Sequence, residues 1–247
     1  MSQRLIITDV TAMQGERVCI AGIDPDGQCI RPVLPSPGVL RSHLFQQNRV
    51  VLFPRAEVEL DLFPANVQKP HIEDKRFNPT SAQFIRKLSL KEWKELLGRS
   101  AFSSVSAIYD HLIQSGRYVL PGADTRSLGT VVCSKIYAVQ LQNPYSGRTY
   151  RLHFSDQSGV RYNYIPIVDL AFRLYCNSRL SGKKSEIEVE KELYDILASS
   201  QRVILRLGLA RPWRKNTDEE ERCYLQVTGV YTFPDYLEGK TFADFLT

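Results

Sequence analysis

The chain of 247 residues is 43% hydrophobic, 10% aromatic and 24% charged. These values exclude a disordered segment, a collagen-like repeat and a disulfide-stapled mini-protein. Lys and Arg number 32 against 27 Asp and Glu, and the resulting net charge of +5 permits a polyanionic partner without demanding one.

In chain order, the first third reads as strands. Arg4–Val10 is a short apolar run. Arg17–Ile23 and Gln28–Val33 flank Asp24-Pro25-Asp26-Gly27, a turn sequence that joins them as a hairpin. Val50–Phe53 and Glu57–Phe63 are the next extended stretches. In the second of these, Val58, Leu60 and Leu62 alternate with Glu57, Glu59 and Asp61, giving one buried and one acidic face. The middle turns helical. Ser81–Leu88 and Leu90–Leu97 show a 3.6-residue period, with Ser89 and Glu92 as a capping box and Gly98 as a stop. Ser104–Gln114 reads as a further helix. Pro121-Gly122-Ala123-Asp124 then punctuates the chain.

The strand pattern resumes at Gly129–Leu141, Arg148–Phe154 and Val160–Ile165, with turns at Asn143–Gly147 and Asp156–Gly159. Pro166 suits the first position of a helix reaching about Asn177. Ser181–Ser185 is a basic loop, and Ser185–Ser200 is a helix with its own capping box. Arg202–Leu209 and Arg222–Phe233 are the last strands, followed by an aromatic tail that should dock on its own barrel.

Each half places a strand–turn–strand unit first and helices later, at 16–33 and 130–154. Three strands, helices and two strands is the pattern of the oligonucleotide/oligosaccharide-binding (OB) barrel, which closes its sheet and so hides its edges. The expected fold class is mainly β with inserted helices (α+β), built as two tandem OB-like Greek-key barrels. Residues 1–122 form the first, with a helical insertion. Residues 123–247 form the second, with helices between its third and fourth strands. The segments ITDVTAMQGERVCIAGIDPDGQCIRPV and ILRLGLARPW…CYLQVTGVYTFPDYLEGKTFADF resemble the bacterial dual OB-containing domain family. The resemblance implies two OB-like barrels in one polypeptide and carries no functional residues with it.

Specific catalytic signals are lacking. No two of His43, His71, His111 and His153 stand at zinc-ligand spacing, and His153 reads as a structural residue on a solvent-facing strand face. No GxSxG or GxGxxG occurs, and Gly182-Lys183-Lys184-Ser185 lacks the earlier glycine of a phosphate loop because Asn177 stands there. Asp61 with Glu73-Asp74-Lys75 has the loose D…ExK order of metal-dependent nucleases, in which two carboxylates hold Mg²⁺ and the lysine orients water. The order is short enough to arise by chance, and Glu73–Lys75 reads as loop. No cofactor is expected. Cys19 and Cys29 read as packed core thiols. Five scattered cysteines and no signal or membrane-spanning run point to the cytoplasm.

Basic and aromatic residues concentrate in the second half. Alternation turns Arg222 and Tyr224 outward from Cys223, Leu225 and Val227, and Arg202 and Arg206 outward from Val203, Leu205 and Leu207. Arg148, Arg151 and Arg161 extend the set, with Tyr145 and Tyr162 nearby. Arg211, Trp213, Arg214 and Lys215 lie in the loop between the last two strands, which flanks the ligand groove of an OB barrel. Phosphate needs cations and bases need flat rings, so these residues are read as a groove for single-stranded DNA or RNA. Two features oppose this: Asp218–Glu221 follows the loop directly, and the acidic strand 57–61 repels a polyanion. The alternative is a protein–protein adaptor within a larger nucleic-acid-processing or defence complex, and a nuclease is the third reading.

Overall fold

A computed structural model of the chain describes residues 2–142, 148–180 and 184–246. The expected turn at 143–147, with Tyr145, and the glycine–lysine segment at 181–183 lie outside the described residues.

The first half contains β1 (Ser2–Ala12), β2 (Val18–Ile23), β3 (Cys29–Val33), a two-strand ribbon of β4 (Phe45–Gln46) and β5 (Arg49–Val50), β6 (Ala56–Pro64), β7 (Asp74–Phe77) and β8 (Gln83–Lys87). Strands β1, β2 and β3 pair antiparallel, β3 pairs parallel with β7, and β7, β6 and β1 close the circuit antiparallel. The β2–β3 turn forms because the Asp24 side chain accepts the amides of Asp26 and Gln28, while Gly27 supplies a φ of 82°. The alternation read in 57–63 is present: Val58, Leu60 and Leu62 are buried, whereas Glu57 is held by Arg86.

The second half contains α1 (Leu90–Arg99), β9 (Ala101–Phe102), α2 (Val105–Ile108), β10 (Tyr118–Val119), β11 (Leu128–Gln142), β12 (Thr149–Asp156), β13 (Arg161–Ile167), α3 (Leu170–Leu180), α4 (Glu186–Ser199), β14 (Arg202–Leu209) and β15 (Cys223–Phe233). Strands β11, β12 and β13 pair in sequence, β13 meets β15 in parallel, and β15, β14 and β11 close the barrel. Both barrels therefore share one circuit: first, second, third, fifth and fourth strand, then back to the first.

Four local readings are corrected. Residues 83–87 form strand β8, not a helix, because they pair along the edge of β6. The helix expected over 104–114 stops after one turn, where Asp110 and His111 take left-handed backbone angles. Pro166 belongs to β13, and α3 starts later under Asp169, whose carboxylate accepts the amides of Ala171 and Phe172. Residues 90–119 do not decorate the first barrel. β9 pairs with β11, β10 pairs with β15, and Trp93 and Leu97 pack with Val132, Ile204 and Tyr231. The chain thus passes from one barrel to the other near Leu88, before the boundary read at 122.

Packing joins the two barrels on a broad front. Leu170 and Ala171 of α3 belong to the hydrophobic core of the first barrel, while Phe172 and Cys176 belong to that of the second. One helix therefore closes both. The aromatic tail also crosses over: Phe242 is fully buried in the first core, edge-on to Phe45. Tyr236 and Phe245 of the tail do dock on their own half, against Phe172 and Tyr175 of α3, so the tail spans both barrels.

A polar seam runs between the barrels. Arg206 is 0% exposed and Asp9 is 1% exposed. Nε of Arg206 donates to Asp9 Oδ2 at 3.0 Å, Nη1 donates to Thr130 Oγ1 at 3.0 Å, and both terminal nitrogens contact the Cys29 sulfur at 3.6 Å. Thr8 and Thr228 donate to the same carboxylate, and the Tyr231 hydroxyl donates to the Thr8 carbonyl. Beside this pair, Arg31 Nε donates to Asp74 at 2.8 Å. Glu73 accepts the Ser127 and Leu128 amides at 2.7 and 3.1 Å. His71 bridges the seam as well, donating from Nε2 to the Leu209 carbonyl at 3.2 Å.

Two outcomes test this seam. Arg206→Met leaves the Asp9 carboxylate buried without its cation, and should cost about 3–5 kcal/mol in urea unfolding. Arg206→Met with Asp9→Asn should recover a substantial part of that loss, whereas additive losses would show that the pair does not couple. His71 is pushed down to about 4 by burial, assisted by Arg31 and Arg211. Its folded pKa lies below the unfolded value of about 6.5, so its contribution is present above that pH and is lost as pH falls towards 4. Against a His71→Gln variant, the parent should lose about 3 kcal/mol of unfolding free energy between pH 7 and 4. Taking the difference from the variant removes the opposite slope from Asp169, which burial pushes up to about 7.

Candidate nucleic-acid interface

The outer face of β12 and β13 and the loop between β14 and β15 remain uncovered. Alternation sends Tyr150, Leu152 and Phe154 of β12 inward and turns Arg151 outward; His153, read as solvent-facing, is buried beneath its neighbours on that face. The β14–β15 loop folds back on itself: the backbones of Trp213 and Arg222 exchange two hydrogen bonds at 3.1 and 2.9 Å. This extends the hairpin and sets Trp213 beside Tyr224, with ring centroids 6.0 Å apart. Tyr118 stands directly across from Tyr224 in the β10–β15 pairing, at 5.9 Å, and the Arg222 guanidinium lies 4.4 Å above the Tyr118 ring. Three rings and a cation thus form a continuous stripe, and Trp213 is 56% exposed.

A second group lies on β11 to β13. Tyr137 is flanked by Arg161 at 4.2 Å and Lys135 at 5.1 Å. His153 is buried between Asn163 and Gln140, at 3.1 and 3.0 Å, and carries Tyr164 against its ring at 4.4 Å. Tyr164 sits at a bulge with φ of 59°, a left-handed conformation that a bulky residue adopts at local cost. The bulge turns the ring outward, leaving it half exposed. Between the groups stands Arg151, lowered in pKa by burial and by the neighbouring Arg117. Arg117 is exposed, and its carbonyl accepts the Leu225 amide at 2.7 Å.

The residues read from the sequence separate into three sets. Arg151, Arg161, Trp213, Arg222 and Tyr224 share this face, and Arg214 and Lys215 extend from its loop, exposed. Arg206 is a correction: its side of β14 does turn away from its own barrel, but the first barrel covers it. Arg211 turns from the stripe to Asp74 at 2.7 Å, and Arg202 lies at the far end of β14 near Gly98. Arg148 is exposed next to the undescribed segment. Tyr162 is not near the surface; it stacks on Phe154 in the core.

Arg117, Tyr118, Lys135, Tyr137 and Tyr164 were not singled out in the sequence. Tyr137 and Lys135 hid behind two bulges that break the alternation of β11, and Tyr118 follows an irregular segment. Among the described residues, the acidic run meets a cation of the stripe where Glu220 reaches Arg222 at 3.5 Å. Asp74 and Lys75 lie on β7 and Glu73 in the turn just before it, and both carboxylates are bound to Arg31. They are engaged in the seam instead of standing open to a metal ion.

Two closed five-stranded barrels with one shared circuit, the second capped by helices between its third and fourth strands, define a tandem OB-fold protein. The model of the dual OB-containing domain matches residues 3–230, and the chain belongs to that family. No curated protein matched the sequence. OB-fold domains generally bind nucleic acids or proteins.

Proposed function

We propose that the second barrel binds single-stranded DNA or RNA without catalysis, along the stripe from Trp213 through Tyr224 and Tyr118 towards Arg151 and Tyr164. The observation that carries this reading is the ring–cation stripe itself. Trp213 is exposed for a base to stack on, Tyr118 and Tyr224 are partly exposed beside it, and Arg222 is placed for a phosphate. It crosses the second and third strands and the loop between the fourth and fifth, where OB barrels commonly hold oligonucleotides. A protein partner is the second reading, favoured by the acidic rim Asp218–Glu221 beside Trp213.

Fluorescence anisotropy with labelled single-stranded oligonucleotides tests the proposal. Trp213→Ala and Tyr118→Ala should each weaken binding by about 5- to 100-fold, the range of one lost base stack. Arg222→Gln should lower the salt slope by about one unit. Arg202→Ala, at the other end of β14, should leave affinity unchanged. Absence of binding at low salt, or equal losses from Arg202→Ala and Trp213→Ala, would overturn the reading in favour of the protein partner.

A further inference from the structure

A cavity of about 410 Å³ opens between the barrels, with residues of both in its lining. Its walls oppose one another: Val18, Val33 and Val39 come from the first barrel, and Leu128, Val168 and Leu209 come from the second. The volume falls within the range of small-molecule sites, which favour interfaces between structural units. Apolar walls facing across such a slot favour a flat occupant.

The polar lining includes Asp9 and Thr228, which are bonded to each other, Thr11, Gln14 and Gln226, and the two arginines Arg31 and Arg211. Asp74 holds two guanidiniums at once, with Arg31 Nε on one oxygen at 2.8 Å and Arg211 Nη2 on the other at 2.7 Å. The two arginines are therefore within one carboxylate's span of each other. Both line the cavity. Arg31 is 4% exposed, and its Nη2 serves Glu73 and Ser127. Among the described residues, nothing accepts from Arg31 Nη1 or from Nε and Nη1 of Arg211. Charge does not accumulate there, because Glu73 and Asp74 balance Arg31 and Arg211, and Asp9 balances Arg206. An anion would gain no net attraction. An apolar molecule without acceptors would displace water from the free donors and offer nothing in return.

We propose that the inter-barrel cavity is a binding site for a neutral, flat heterocycle with two acceptors on one edge, of the nucleobase class. The acceptors face Arg31 and Arg211, and the ring lies between the opposed valine and leucine walls. Guanine presents two such acceptors, N7 and O6, on one edge, whereas adenine presents one acceptor beside a donor. The base could enter as a free nucleoside or as one base of a strand. This site stands apart from Trp213 and does not depend on the stripe binding nucleic acid.

Isothermal titration of the full chain with guanosine, adenosine and guanosine monophosphate tests the site, and a guanine-containing oligonucleotide separates the two sources. Guanosine should bind one to one and at least about tenfold more tightly than adenosine, and the phosphate should bring no gain. Cys19→Phe, which fills the slot from β2, should abolish binding. Arg211→Gln should weaken it at least about tenfold. Unfolding midpoints of both variants serve as the folding control. Trp213→Ala should leave guanosine affinity unchanged even where it removes strand binding. If only the oligonucleotide binds and Cys19→Phe removes that binding while Trp213→Ala does not, the base comes from a strand and the site stands. No binding of any probe to well-folded protein, or binding indifferent to Cys19→Phe and Arg211→Gln, would overturn the proposal.

Discussion

A cation and a carboxylate removed from water govern how this chain is organised. Arg206 and Asp9 come from different barrels, 197 positions apart; Thr8 and Thr228 donate to the carboxylate, and the guanidinium donates to Thr130 and contacts the Cys29 sulfur. Burial of either charge alone is costly, so the arrangement favours the docking geometry in which the two charges meet. The contacts of Arg31 with Glu73 and Asp74, and of Glu73 with the Ser127 and Leu128 amides, repeat the same logic a few residues away. The two barrels are joined by a directional polar seam as well as by shared apolar surface.

That seam determines what is left outside. It consumes the outer face of β14, and with it an arginine that an isolated second barrel would have offered to solvent. It spares β12, β13 and the β14–β15 loop, so cations and rings accumulate there. The first barrel carries Glu57, Glu59 and Asp61 on β6, and its own arginines Arg4 and Arg86 are drawn to Glu57. The two units thus differ in electrostatic character although they share a strand circuit. A fold common to both halves does not give both halves the same task.

Helix α3 and the aromatic tail add the apolar counterpart of the seam. Leu170 and Phe172, two residues apart, enter different cores, and Phe242 reaches back from the end of the second barrel into the first. The core of the first barrel is completed by Leu170, Ala171 and Phe242, all supplied from the second half. The hydrophobic term and the polar seam therefore favour the same relative placement of the units, as expected of a chain whose local and global preferences agree.

The amino-acid sequence by itself determined the elements whose signal is local. The Asp24–Gly27 turn, the capping boxes at Ser89 and Ser185 and the alternation in β6 depend on neighbours within a few residues and are present, while in β12 and β15 the alternation of burial holds only up to Leu152 and Val227. The order of strands and helices in the second half was legible for the same reason, and so were Arg151, Arg161, Trp213, Arg222 and Tyr224 as outward groups. Only the tertiary structure decided which outward face meets water. Alternation states that Arg206 and Tyr224 leave their own barrel; it contains nothing about the 0% exposure that the first barrel imposes on Arg206. The same holds for Glu73 and Asp74, whose loose nuclease order became an inter-barrel clasp, and for residues 83–87, whose strand exists because β6 offers an edge. Pairing across long sequence separations fixes these outcomes, and no local period encodes it.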